Sequence, residues 1–322
     1  MTLLRHWRRL GCAALALLLG GAPGLTRAQN CPPTLPAPNP ALLSQPPAQA
    51  PDRGLLWQLE KDGRTAWLYA SIHIGRPDWL VPGMRLQAAL AASDTVALEL
   101  DLSDPQVMQA LAGPVPGRPA LNLPADLQTR LQAVARRECT DLAPLAALHP
   151  LMQLGQLVAQ SARRDGMSVE YGQELALIIQ SQRLGLRLAG LETPQLQLQA
   201  LIPADRKAAL EEIREGLRQL ESTQLRQQTR RLAEAWAAGD LNTLERYETW
   251  CDCVKTAADR AALKRTLDDR NPGMADGIVK LHAQGRRLLV AVGALHMTGD
   301  ASLLKALRAR GFTVTQRWPE PR

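Results

Sequence analysis

Apolar and polar positions along the chain follow two periods, one typical of strands and one typical of helices. Short apolar runs without helical spacing predict strands at 55–59, 65–73, 95–102, 186–192, 287–295 and 313–318. Apolar positions spaced three and four residues apart predict helices at 84–92, 125–138, 141–164, 169–184, 204–238, 254–268, 272–284 and 300–310. Strands that alternate with helices favour parallel pairing. We therefore predict an α/β fold: a mixed, partly parallel central sheet with flanking helices and a large helical insertion.

Two local signals sharpen these predictions. Asp62-Gly63 separates the first two strands and is a strong hairpin signal. Within 204–238, one buried helix face is predicted by Leu210, Ile213, Leu217 and Leu220. Gly239 follows as a plausible C-cap, so we expect one long helical region to end there.

The first 28 residues have the pattern of a signal peptide. Arg5, Arg8 and Arg9 precede an apolar stretch at 12–19, and the small-residue segment 26–28 resembles a cleavage site. We expect export and removal of residues 1–28, which places the mature protein in the periplasm or outside the cell.

The rest of the chain divides into a linker and one domain. Residues 29–53 are predicted to form a proline-rich linker or surface strap, since 32–51 contain eight prolines and no apolar period. Residues 54–318 keep a globular pattern. No later stretch approaches 18 uninterrupted apolar residues, so we expect no stable membrane span after signal removal.

The charge pattern argues against a nucleic-acid partner. The chain has a formal net charge of +7, which falls to +3 without the four arginines of residues 1–28. The remaining basic residues alternate with Asp and Glu, and aromatic residues make up only 3% of the chain. Nucleic-acid binding would favour a basic stripe with stacking aromatics, so we expect no such partner.

Four cysteines remain in the mature chain: Cys31, Cys139, Cys251 and Cys253. In an oxidising compartment this even number predicts two structural disulfides, with three possible pairings. A bond between Cys251 and Cys253 would close a very tight ring, so we expect each of them to pair with Cys31 or Cys139. The alternative is a redox-active Cys-x-Cys pair or a thiolate metal site, which no Cys-x-x-Cys or histidine-flanked spacing supports.

Four predicted strands end in, or close to, a residue that can bind a metal ion or transfer a proton. These residues are His73, Glu99, Glu192 and His296. Ligand sites in open α/β sheets gather at the carboxyl ends of strands, where two imidazoles and two carboxylates suit a divalent ion. Such an ion acidifies bound water, and a spare carboxylate serves as general base. Taken singly, each residue also fits a structural role.

These residues lie in segments that resemble a known family. Ala70-Ser71-Ile72-His73-Ile74-Gly75 looks like its first Gly-x-x-His motif, and Gly293-Ala294-Leu295-His296 matches its second. Gly190-Leu191-Glu192-Thr193-Pro194 resembles its Gly-Leu-Glu-Thr segment, and Trp236 with Gly239-Asp240 and Arg270-Asn271 also fit. Over about residues 54–317 the chain resembles the TraB/GumN (TraB/PrgY/GumN) family, which is related to the Tiki-type metalloproteases.

The resemblance implies a metal-dependent peptidase. His73, Glu99, Glu192 and His296 would take the family's metal-site positions, with the glutamates also catalytic and Arg270 as an anion or carbonyl stabiliser. The implied cofactor is a divalent ion such as Mn, Co or Zn, and the implied partner is a peptide or protein substrate.

Two further residues follow from the comparison of motifs. Glu174 lies where many relatives carry a Gly-x-Asp, which makes it a weaker candidate. Ala70 replaces the glycine of the first motif. We expect this alanine to narrow the pocket beside His73, because it removes the freedom that glycine gives.

The sequence therefore predicts an exported metal-dependent hydrolase, peptidase-like in character. The alternative is a non-catalytic periplasmic protein that binds a metal, haem or peptide in the same cleft. His149 and His282 lie in predicted helices and are expected to be structural or exposed. Serine hydrolases, zincins, nucleotide hydrolases and dehydrogenases are disfavoured because their sequence motifs are absent from the chain.

Overall fold

A computed structural model describes residues 30–39, 50–118 and 120–320. The predicted signal peptide at 1–28 lies outside the described residues, as do positions 40–49 of the predicted linker. The described residues from Cys31 onward belong to one compact unit. No helix in these ranges is long and apolar enough to cross a membrane.

A mixed sheet forms the centre of the described chain. Its strands are β1 (Leu55–Lys61), β2 (Arg64–Ser71), β3 (Thr95–Leu98), β4 (Arg187–Gly190), β5 (Leu288–Gly293) and β6 (Thr313–Trp318). They lie in the order β4-β3-β5-β2-β1-β6. The four strands from β4 to β2 pair in parallel, whereas β1 pairs antiparallel with both β2 and β6. This sheet with its flanking helices confirms the predicted fold class.

The hairpin between β1 and β2 forms where the sequence predicts it. Asp62 and Gly63 have positive φ angles of 52° and 70°, as a type I′ turn requires, and Lys61 pairs with Arg64. All four parallel strands end earlier than predicted, β2 at Ser71, β3 at Leu98, β4 at Gly190 and β5 at Gly293.

Helices cover both the connections and the faces of the sheet. They are α1 (Met84–Ala91), α2 (Pro105–Ala112), α3 (Ala125–Arg137), α4 (Pro150–Ser161), α5 (Gln173–Leu184), α6 (Pro194–Leu201), α7 (Arg206–Glu221), α8 (Gln224–Ala237), α9 (Leu241–Glu245), α10 (Tyr247–Trp250), α11 (Ala257–Thr266), α12 (Asn271–Ala283) and α13 (Leu303–Ala309). The sequence pattern did not predict α2, α6, α9 or α10.

Two predicted long helices are broken, and each break has a local cause. The predicted helix 141–164 gives way to α4 at Pro150, because proline favours the first helical turn and His149 caps it by accepting from the Leu151 amide. The predicted helix 204–238 divides into α7 and α8 at Thr223, whose φ of 63° is left-handed and cannot continue a helix.

Two main apolar clusters stabilise the described residues. The larger one joins the strands to the helices that cover them. The second lies within the helical insertion and includes residues of α3, α4 and α7, among them Leu127, Leu131, Leu154, Leu157, Ile213 and Leu217. The predicted apolar face of α7 is confirmed, since Ile213, Leu217 and Leu220 are buried in this cluster.

The described start of the predicted linker is held against the domain. Residues 30–39 contain no helix or strand. Leu35 packs on Leu80 and Tyr171, the Tyr171 hydroxyl donates to the Pro36 carbonyl, and Cys31 forms a disulfide with Cys139. These contacts make this stretch a strap.

The disulfide pairing differs from the prediction. Cys251 bonds to Cys253, and Cys31 bonds to Cys139. The tight ring closes because the intervening Asp252 takes a left-handed φ of 53°, which brings the two Cα atoms to 5.0 Å, within the usual range for disulfides.

The two disulfides are expected to contribute unequally to stability. In the chain-entropy account the contribution grows with the closed loop, and the bonds join residues 108 and 2 positions apart. We expect the Cys31→Ser/Cys139→Ser variant to lose roughly 4–5 kcal/mol of unfolding free energy and the Cys251→Ser/Cys253→Ser variant roughly 2 kcal/mol or less. Urea unfolding measures the free energy of unfolding that each variant loses, and equal losses in the two variants would contradict this expectation.

Candidate functional site

The parallel strands bring the predicted site residues to one edge of the sheet. His73 follows β2, Glu99 follows β3, Glu192 follows β4, and His296 lies in a short 3₁₀ helix directly after β5. The carboxyl ends of parallel strands share one edge. Arg270, which directly precedes α12, completes the group by reaching three of these side chains.

Arg270 is the centre of this group. Its Nε lies 3.1 Å from both carboxylate oxygens of Glu192, and Nη2 donates to both Glu99 and Glu192. Nη1 donates to the Thr266 carbonyl at 3.0 Å and lies 3.3 Å from His296 Nε2. A guanidinium has five N–H donors, so every donor of Arg270 has an acceptor.

Glu99 is a buried carboxylate with a full set of donors. Oε1 accepts from the Gly293 amide at 2.9 Å, and Oε2 accepts from Arg270 and from Gln197 Nε2. Burial by itself would raise the pKa of Glu99, but nearby positive groups, led by His73, lower the pKa to about 2. Glu99 is therefore ionised at neutral pH.

His296 is held as a neutral imidazole. Its Nδ1 lies 2.8 Å from Asn271 Oδ1, and the Asn271 amide group in turn donates to the Ala301 carbonyl at 2.8 Å. Burial lowers the pKa of His296 to about 4. The network therefore assigns the proton to Nδ1, which leaves the Nε2 lone pair facing Arg270.

His73 is the exposed imidazole of the site. Its side chain is 66% exposed, and Nδ1 lies 3.2 Å from Glu174 Oε1. Ser71 also donates to this carboxylate. The Glu174 carboxylate raises the pKa of His73 to about 9. Nε2 of His73 lies 3.6 Å from where a Cβ on Gly293 would be, beside Glu99 and His296.

Two glycines allow the loop that carries His73 to lie against the segment that leads to Glu174. Gly75 and Ser168 exchange backbone hydrogen bonds of 2.9 and 2.8 Å. A Cβ on Gly75 would lie 2.2 Å from the Tyr171 carbonyl oxygen, and one on Gly172 would lie 2.5 Å from the His73 carbonyl oxygen. Backbone segments can approach this closely only at glycine. The close approach places the loop that carries His73 beside Glu174.

The His73–Glu174 pair predicts a specific pH dependence. A histidine in the unfolded chain titrates near pH 6.5, whereas His73 in the fold has a pKa of about 9. The pair's stabilisation is therefore fully present below about pH 6.5 and is lost as pH rises through about 9. NMR titration should find this pKa and a lower one in Glu174→Gln. An unchanged value would show that Glu174 is not its cause.

A cavity of about 220 Å³ lies beside the group. It is lined by Ser71, Ile72, His73, Leu232, Trp236, Thr266, Leu267, Arg270, Gly293, Ala294, Leu295 and His296. Ala70 does not line it, since the residue is buried in β2 and its carbonyl accepts from Trp236 Nε1 at 2.8 Å. The expected narrowing of the pocket by Ala70 is therefore not seen.

A comparison with protein families identifies the chain's family. The family model for TraB/PrgY/gumN matches residues 55–316, which span both histidine motifs and the whole sheet except the last two residues of β6. The chain belongs to the TraB/PrgY/gumN family. No curated protein and no solved structure matches it significantly. The relation to the Tiki-type metalloproteases stays a prediction.

The described residues of this TraB/PrgY/gumN chain do not present a preformed metal centre. Within them, no group of three or more His, Cys, Asp or Glu side chains is arranged to hold a metal ion. The physical reason lies in Arg270, which takes up the carboxylate oxygens of Glu99 and Glu192. The structure thus brings the predicted ligands together, but with a guanidinium between them.

Several residues of the site were not predicted from the TraB/PrgY/gumN motifs. Asn271, Ser71 and Gln197 contact His296, Glu174 and Glu99 respectively. Asn271 and Ser71 lie within quoted motifs, whereas Gln197 had no such signal.

The two remaining described histidines lie outside the site. His149 caps α4. His282 is buried on α12, where its Nδ1 lies 3.4 Å from Arg64 Nη2. Both make local structural contacts.

Proposed function

We propose that this protein is an exported metal-dependent hydrolase that acts on peptide or protein substrates. One observation carries the proposal: two histidines from distant motifs each have Nδ1 beside a side-chain oxygen, that of Glu174 or of Asn271. Metal-ligating histidines are oriented in this way, by an acceptor on one ring nitrogen that leaves the other for the ion. The two side chains line the same cavity.

The charges of the group favour a divalent cation. Glu99, Glu174 and Glu192 contribute three negative formal charges, whereas Arg270 contributes one positive charge and His296 is neutral. A protonated His73 leaves the group with one net negative charge. A divalent ion in place of that proton would bring the sum to zero, which is how buried carboxylates are usually satisfied.

The ligands we assign are His73, His296 and Glu99. Imidazole nitrogen and carboxylate oxygen suit Mn²⁺, Co²⁺ and Zn²⁺. When bound, the ion would supply Lewis acidity and lower the pKa of a water. To coordinate it, these side chains must move closer together, because no three of them converge among the described residues. Arg270 must also withdraw from Glu99 and from Nε2 of His296, which it contacts in the structure.

The other acidic and basic residues have separate roles. We assign Glu192 the role of general base. Both of its oxygens accept from Arg270 and it does not line the cavity in the structure, so the same withdrawal of Arg270 must free it to take a proton from water. Arg270 has every N–H engaged. We therefore assign it to positioning Glu99, Glu192 and His296, in preference to binding a substrate oxyanion.

Export is part of the same proposal. It rests on the signal-peptide pattern of residues 1–28 and on two disulfides, which persist in oxidising compartments such as the periplasm. The compartment follows from fractionating cells that express the full chain. Accumulation of an uncleaved chain in the cytosol would oppose it.

The activity itself is tested by chelation and metal return. Mature protein treated with chelator should lose hydrolysis of a mixed peptide library and regain it with Mn²⁺, Co²⁺ or Zn²⁺. Product analysis by mass spectrometry identifies the cleaved bonds. Hydrolysis that survives complete chelation, or that never occurs with any of the three ions, would refute the proposal.

The ion pairs of Arg270 favour a second candidate, a non-catalytic binding protein of the periplasm. In that case the cavity holds a metal ion or a side chain of a peptide, since its volume of about 220 Å³ is too small for the haem of the sequence-based alternative, and Arg270 keeps Glu99 and Glu192 from taking part in chemistry. Binding that persists in a Glu99→Gln variant, without turnover of any peptide, would favour this candidate.

A further inference from the structure

The cavity beside the histidines is lined by polar and by apolar side chains. The polar ones include His73, Arg270 and His296. The apolar ones include Leu232 and Trp236 of α8, Leu267 after α11, and Leu295 beside His296. We define these last four residues as the apolar wall.

Two leucines of the apolar wall do not pack into the protein's own core. Leu267 and Leu295 are half-buried, yet neither belongs to any of the three apolar clusters among the described residues. Leucine side chains normally pack into such clusters. Their apolar surface is turned toward the cavity, so it is available to a ligand.

Two residues of the apolar wall are held by the protein's own packing. Trp236 is fully buried, its indole nitrogen donates to the Ala70 carbonyl, and its ring lies tilted against Trp79 with 5.5 Å between centroids. Leu232 packs against the main core. These two residues are fixed by their packing, whereas Leu267 and Leu295 keep apolar surface for a ligand.

The size of the cavity limits what it can hold. Its volume of about 220 Å³ is below the roughly 300–1,000 Å³ of pockets that hold whole drug-sized ligands. It has room for one side-chain-sized group. Neither Glu99 nor Glu192 lines it, whereas the cationic Arg270 and His73 do, so a basic side chain would meet no opposite charge there, and Leu267 and Leu295 offer only apolar surface.

We infer that the apolar wall is a specificity subsite that takes one bulky apolar side chain, such as leucine, methionine or phenylalanine, next to the bond that is cleaved. This inference rests on the proposed hydrolase function, because two of the proposed metal ligands, His73 and His296, line the same cavity. A peptide that places its apolar side chain against Leu267 and Leu295 brings the adjoining carbonyl toward the histidines.

Binding tests the subsite without requiring turnover. N-acetyl-leucinamide should bind the mature, chelator-treated protein at least about tenfold more tightly than N-acetyl-glycinamide, measured by calorimetry or NMR, because burial of a leucine side chain accounts for that difference. The Leu267→Asp variant should lose this preference. Equal affinities for the two amides, or no measurable binding of either, would overturn the inference.

The matched control is Leu184→Asp, which adds the same charge at an exposed leucine outside the cavity and should keep the preference. Thermal unfolding confirms that both variants are folded. Should Leu267→Asp not fold, Leu295→Ala provides the second test, with a smaller loss of the same preference. Full preference in a folded Leu267→Asp protein would also overturn the inference.

A parallel turnover assay separates the two proposals. Metal-loaded protein is given peptides that differ only in having Leu, Gly, Asp or Lys at one position. Preferential binding of the leucine amide without any cleavage would leave the subsite standing and refute the hydrolase. Cleavage that is indifferent to this side chain would refute the subsite and leave the hydrolase standing.

Discussion

Replacing Arg270 by methionine is expected to lower the free energy of unfolding by about 3–5 kcal/mol at neutral pH, the usual cost of breaking a buried ion pair from one side. The side chains of Arg270, Glu99 and Glu192 are only 10%, 7% and 5% exposed. Without the guanidinium, two carboxylates remain buried side by side with no cation between them. Urea unfolding measures the loss.

The change of this stability loss with pH shows whether repulsion between the two carboxylates causes it. Protonation of the orphaned carboxylates relieves their repulsion, so the difference between the variant and the wild type should shrink as pH falls. The control is Arg218→Met, since the Arg218–Glu215 pair is exposed and solvent-exposed ion pairs contribute little to stability. A deficit for Arg270→Met that is equally small, or that does not change with pH, would contradict the account.

Removal of either site histidine is expected to have the largest effect on activity. His73→Ala and His296→Ala should each reduce kcat/KM of metal-dependent hydrolysis by at least about a thousandfold, because Lewis-acid stabilisation is worth several kcal/mol and each 1.4 kcal/mol is tenfold. Asn271→Ala should cost about 10–100-fold, the usual effect of losing the hydrogen bond that orients a metal ligand. Steady-state kinetics with one metal at saturation measures all three.

Two further variants control for loss of activity through misfolding. His296 is buried, so His296→Gln covers the case in which alanine there disturbs the fold. His149→Asn keeps a helix-capping side chain at the start of α4, and full activity is expected. Loss of activity in His149→Asn equal to that in His73→Ala would show that the effects report folding and not the site.

The edge of the sheet where the site lies was predictable from the sequence. His73 and His296 each follow a short apolar run, and such runs separated by helical segments predict parallel strands whose carboxyl ends meet. Glu99 and Glu192 were placed by the same argument. The shared edge follows from local apolar pattern and chain direction, whereas the order and register of the strands come from the structure.

The hydrogen bonds within the site did not follow from the sequence. The reach of Arg270 depends on how the chain enters α12, and the contact of Glu174 with His73 depends on backbone pairing between Gly75 and Ser168, nearly a hundred residues apart. The spacing of apolar residues along the chain predicts neither of these contacts. The same limit explains Asp252, whose left-handed backbone closes the unexpected disulfide and is uncommon for a residue other than glycine.

The central claim is that the two histidines hold a metal ion, and metal content tests it most directly. Mature protein, chelated and then dialysed against Mn²⁺, Co²⁺ or Zn²⁺, should retain one ion per chain by plasma mass spectrometry. His73→Ala and His296→Gln should retain little or none, whereas His149→Asn should retain the full amount. Wild-type protein that binds none of the three ions, or histidine variants that bind as much as the wild type, would contradict the claim.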